Sequence, residues 1–146
     1  MIPAKEFILV YNELFKFIEK KYSKENVIKL WEFISDKFLT DFDQLIKDKG
    51  ILGIVEYSAH TLTEEGAEFT MSVRPYYFEN FIEKCPSIKI MNKRKVKKYP
   101  QYCEHCIILY KKIIEKYGFT YKIQFIDREK GKCKIKIKKI SHKREK

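Results

Sequence analysis

Residues 67–73, AEFTMSV, place Ala67, Phe69, Met71 and Val73 on one side of an extended chain and Glu68, Thr70 and Ser72 on the other. Strict alternation of this kind marks a half-buried β-strand. The chain before it has a different period, and that switch decides the fold class. Upstream, Phe7, Tyr11, Leu14, Ile18 and Tyr22 fall three or four residues apart, the stripe of an amphipathic helix over 4–22. Ser23 is placed to cap a second helix, with Val27, Leu30, Trp31, Ile34 and Phe38 on its inner face. Thr40 followed by Asp43 has the form of a capping box for a third helix. Phe42, Leu45 and Ile46 lie on its inner side, and Gly50 is its natural stop. Residues 54–63 admit two readings. They fit a strand turned back through Glu64, Glu65 and a left-handed Gly66, yet Ile51, Ile54, Val55, Ser58 and Leu62 also fit a helix.

Downstream, Pro75 suits the first position of a helix running through YYFENFIEKC (76–85), with Phe78, Phe81 and Cys85 on one face and Pro86 as terminator. NKRKVKK (92–98) reads as a basic loop. Pro100 opens a further helix that Gly118 closes, with Cys103, Cys106, Ile107, Tyr110, Ile113, Ile114 and Tyr117 on its stripe. FTYKIQFI (119–126) and KCKIKIKK (132–139) form a hairpin around DREKG. In its second strand Lys132, Lys134, Lys136 and Lys138 face water while Cys133, Ile135 and Ile137 face inward. The expected architecture is α+β: N-terminal helices packed on an antiparallel sheet of about four strands in two hairpins, with two further helices. Residues 1–140 read as a single domain, with a helical layer over 4–50 and a sheet-containing part over 51–140. A basic tail follows at 141–146.

A chain of 146 residues with 45% hydrophobic and 15% aromatic content can bury a core, which excludes a disordered chain. The longest early apolar run, FILVY (7–11), is too short for a signal-peptide core or a membrane span. The expected compartment is therefore the cytoplasm, where thiols stay reduced. Charge is divided unevenly. The first 73 residues hold nine lysines and 13 carboxylates, net −4, and the rest of the chain is net +15. A basic half of this kind suits a nucleic-acid or other anionic partner, here through 93–98 and the lysine face of the last strand. Only four of the 31 basic residues are arginines, however, and arginine is the usual reader of phosphates and bases.

The chemistry concentrates in YPQYCEHC (99–106). Residues three apart on a helix share a face, so Cys103 and Cys106 both turn inward, as do Cys85 and Cys133 from neighbouring elements. His105 falls off that stripe and is expected at the surface. Three readings stand for the thiols. They can form a tetrahedral zinc site of Cys85, Cys103, Cys106 and Cys133. Cys103 and Cys106 can be catalytic thiols, Cys103 being activated in the first turn of a helix. Or the four can pack as small apolar residues. Tyr99, Tyr102 and Tyr110 flank the pair as candidate pocket hydroxyls. No phosphate-binding glycine loop, Ser–His–Asp order or HExxH helix is present in the sequence.

With EKCPSI, YPQYCEHC and GKCKIKI in view, residues 66–138 resemble the L-2-amino-thiazoline-4-carboxylic acid hydrolase-like domains and, more distantly, the 4-vinyl reductase-type small-molecule-binding domains. Cys85 with Pro86, Cys103, and Gly131 with Cys133 match the positions of that pattern. The resemblance implies an α+β domain whose cysteines border a ligand cavity or hold a metal, and in the hydrolase members the opening of a small cyclic C–N or C–S compound by water. This chain departs from the pattern by carrying Cys106 where those proteins carry Asp, and CKI where they continue CDF. The first change removes the best-matched base for adding water and supplies a thiol instead. The sequence thus leads to a small-molecule-binding domain with a cysteine-lined, zinc-holding site, with a hydrolase and a basic partner-binding module as alternatives.

Overall fold

The computed structural model describes residues 4–140. The chain forms α1 (Ala4–Lys21), α2 (Lys24–Phe38), α3 (Thr40–Lys49), α4 (Ile51–Glu65), β1 (Glu68–Arg74), β2 (Tyr77–Lys84), α5 (Pro86–Lys93), α6 (Glu104–Lys116), β3 (Phe119–Asp127) and β4 (Lys132–Lys139). The strands make one antiparallel sheet in the order β1-β2-β4-β3, so two hairpins meet through β2 and β4. This is the expected α+β class, with helices packed on an antiparallel sheet. The basic tail at 141–146 lies outside the described residues.

The first hairpin is built from other residues than the sequence pattern suggests. Residues 54–63 are helical, within α4. Gly66 is left-handed (φ 78°), but it caps α4, its N–H reaching back to the carbonyls of Leu62 and Thr63. The partner of β1 is the segment with helical spacing, 76–85. Phe78, Asn80 and Ile82 are buried there and alternate with less buried neighbours. Paired on both edges from Tyr77 to Ile82, by β1 and by β4, this strand satisfies most of its backbone in the sheet, and that outweighs the helical spacing of Phe78 and Phe81. Pro86 consequently opens α5 instead of ending a helix, with Cys85 at its N-cap. Pro100 lies in a turn ahead of α6, and Cys103 occupies the N-cap rather than the first turn.

Caps and faces also sort themselves by tertiary contact. Ser23 caps α2 as expected, its Oγ accepting from Asn26 N at 3.2 Å. Thr40 makes no cap to α3. Asp43 instead binds Lys116 Nζ at 2.7 Å and the Tyr117 hydroxyl at 2.6 Å, tying the end of α6 to α3. On α1 the buried face is Ile8, Asn12 and Phe15, whereas Phe7, Tyr11, Leu14 and Tyr22 are exposed. A polar residue in the middle disguises the true stripe. Asn12 is buried because it clamps the loop ahead of α6: its Nδ2 donates to Lys97 O at 3.0 Å and its Oδ1 accepts from Tyr99 N at 2.8 Å.

The interior falls into two clusters. One joins α3, α4 and α6 to the sheet through Phe42, Ile46, Ile54, Phe78, Ile114 and Ile137. The other joins α1, α2 and α5 through Ile8, Phe15, Val27, Trp31, Ile88 and Met91, with Tyr99 and Tyr102. Within the first cluster α3 and α4 pack with almost no gap. A Cβ placed on Gly53 would stand 2.1 Å from the Leu45 carbonyl oxygen.

Candidate functional site

A cavity of about 320 Å³ lies between the two clusters and touches both. Ile54, Tyr57, Ser58, Thr61, Leu62 and Glu65 form one wall, all from one face of α4. The inward side chains of the sheet make the floor, among them Phe78, Asn80, Tyr121 and Ile135. Cys103, His105, Cys106 and Tyr110 come from the start of α6, while Ile8 and Trp31 close the remaining side from α1 and α2.

All four cysteines line this cavity, and all are free thiols. The expected zinc site is not formed. Among the described residues no group of three or more His, Cys, Asp or Glu side chains is placed to hold a metal ion. The thiols do turn inward, but inward from the start of α5, the start of α6 and β4 distributes them around a wall instead of gathering them at a point. Their electrostatics also oppose an activated nucleophile. Burial raises the pKa of Cys85, Cys103 and Cys106, and it pushes Cys133 up to about 12. Lys98 and Arg128 pull Cys103 the other way, by less than burial raises it. At neutral pH the four are thiols, whereas nucleophilic catalysis needs the thiolate.

Of the three candidate tyrosines, Tyr102 and Tyr110 line the cavity. Tyr102 donates to Ser87 Oγ at 3.1 Å. Tyr99 stands behind the wall, packed edge-on against Phe15 and Trp31. His105 departs from expectation, since it faces the cavity among the rings of Phe15, Trp31 and Tyr102. The side of α6 away from the sheet is covered by α2, so a residue off the main stripe is still interior. Its Nδ1 bonds the Tyr102 carbonyl, and burial holds its pKa below the ordinary value, leaving a neutral ring with Nε2 as acceptor.

Three polar residues on the cavity wall carry no functional role in the sequence reading, where Glu65 enters only as a turn residue. Asn80 is 2% exposed and its Oδ1 has no hydrogen-bond partner among the described residues. Tyr121 is 5% exposed and its hydroxyl is likewise unpartnered. Glu65 ends α4 with its carboxyl drawn upward in pKa by burial. A strand reading of 77–84 would have flagged Asn80 as the one polar residue in an inward row of Phe78, Asn80 and Ile82. The basic segment 93–98 meanwhile takes part in holding the fold: Lys97 receives Asn12, Lys98 donates to Arg128 O at 3.2 Å, and Arg94 approaches Glu6 at 4.0 Å. Among the described residues no helix is long and apolar enough to cross a membrane. No protein-family model matches this chain, and no curated protein does.

Proposed function

We propose that this protein binds a small, largely apolar organic molecule in the cavity between its two cores, with Asn80 and Tyr121 supplying polar contacts. The observation that carries this reading is the orphaned Oδ1 of Asn80 in the cavity wall. Buried polar groups in folded proteins nearly always have partners, and leaving one without costs about 1–3 kcal/mol. Apolar cavities with a few convergent polar groups are the common form of small-molecule sites, whose volumes start at about 300 Å³. The four protonated thiols fit the same role as soft, polarizable wall.

Trp31 is the single tryptophan of the chain and lines the cavity, so its emission reports occupancy. Titration with a panel of small alcohols and ketones is expected to shift that emission and to raise the melting temperature. Asn80→Leu should have opposite effects on stability and binding. Removing the orphan should stabilise the empty protein by about 1–3 kcal/mol, while ligands with a hydrogen-bond donor lose affinity. Unchanged Trp31 emission across the panel at millimolar concentration sinks the reading, and so does full affinity in Asn80→Leu.

A further inference from the structure

The charged residues on the cavity wall are Glu65, Asp127, Arg128 and Lys132. Two of these are already engaged. Arg128 Nη1 lies 2.7 Å from Glu104 and its guanidinium stacks 4.1 Å from the Phe125 ring. Asp127 accepts from the backbone N–H groups of Glu129 and Lys130. Glu65 makes no hydrogen bond or ion pair among the described residues, with Lys132 or any other, and burial raises its carboxyl.

Its position is unfavourable for a negative charge in a second way. Glu65 is the last residue of α4, at the negative end of the helix dipole, where the Gly66 and Ala67 N–H groups take up the Thr63 and Leu62 carbonyls. The Glu65 carboxylate and the carbonyl end of α4 are both acceptors on the cavity wall, and a positively charged donor would suit them. The Lys5 ammonium shows that a cation can approach this helix end, lying 4.0 Å from the point where a side chain on Gly66 would begin. At the other end of the same helical face Tyr57 meets Phe42 and Tyr110 in an aromatic corner, with ring centroids 4.5 and 5.5 Å from Phe42. Tyr57 and Glu65 are eight residues apart, which separates them by about 12 Å along the helix axis.

Resting on the cavity being a ligand site, we infer that its ligand is an amphiphilic amine, with an ammonium head at Glu65 and an apolar body extending along α4 toward the Phe42, Tyr57 and Tyr110 rings. The head exchanges hydration for a charge-assisted contact with Glu65 and the terminal carbonyls of α4. The body runs past Leu62, Thr61 (its hydroxyl tied back to the Tyr57 carbonyl) and Ser58, and an aryl end stacks in the aromatic corner.

The test compares 4-phenylbutylamine with 4-phenylbutan-1-ol, which differ in the head group alone, through Trp31 emission. The amine should bind at least about tenfold tighter, the margin of a charge-assisted hydrogen bond. Glu65→Gln should abolish that preference, and the melting temperature of the empty variant shows that it is folded. Equal binding of amine and alcohol by the native chain overturns the amine assignment and leaves the cavity reading standing. An amine preference that survives in Glu65→Gln overturns it too, since the ammonium would then lie elsewhere. Failure of both probes to perturb Trp31 overturns the amine assignment together with the cavity reading.

Discussion

Asn12 shows how one side chain can hide a packing face. Its burial is tolerable only because both ends of the amide are used, on Lys97 O and Tyr99 N, and Tyr99 in turn anchors the second core. Asn12→Ala leaves a buried backbone N–H and a carbonyl without partners and should cost about 2–4 kcal/mol in chemical denaturation, far above a surface substitution. A loss under about 0.5 kcal/mol would show that water replaces the amide at no penalty. Asn12 could not be found from the sequence, because a polar residue at the centre of 8-12-15 breaks the apolar stripe that periodicity detects. His105 escapes detection for a related reason. The helix stripe defines one buried face, and α6 has two.

At the scale of elements, sequence pattern identifies α1, α2, α3, α6 and the β3–β4 hairpin, because each carries its own period and its own punctuation. It fails at β2. A strand in the middle of a sheet takes its identity from the strands on both sides, and YYFENFIEKC contains spacings that suit a helix as well. Misplacing β2 also hides Asn80, so one element error removes the polar group that best marks the cavity. The four thiols are legible as inward-facing, while their separation around the wall depends on the packing of elements and is not. Gly53 offers a test of packing between elements. With the Leu45 carbonyl oxygen 2.1 Å from where an alanine methyl would sit, Gly53→Ala must push α3 and α4 apart. The expected loss is about 1–3 kcal/mol, despite the higher helix propensity of alanine, and a gain in stability would disprove the tight contact.

At the scale of the molecule, two cores share a hollow instead of merging, and the thiols are the chemical label of that hollow. Their raised pKa values leave little thiolate at neutral pH, and the fraction grows as pH rises. Iodoacetamide should therefore modify the native chain slowly at neutral pH, faster at alkaline pH, and all four sites promptly once denaturant unfolds it; mass spectrometry reads each cysteine separately. Rapid modification of Cys103 alone at neutral pH would identify it as a reactive thiol.

The pairing of β2 with β4 also sets the order in which the chain can be completed. Each hairpin joins neighbouring segments, but residues 85–131 must be enclosed before β2 can meet β4. Such long-range closure is the slow part of folding, because chain entropy is lost before the contacts that compensate it are made. The cavity has no continuous floor until that seam closes, so the site is among the last features of the fold to exist. A molecule held across it would act as a clasp on the seam, slowing the unfolding of the chain more than it speeds the folding.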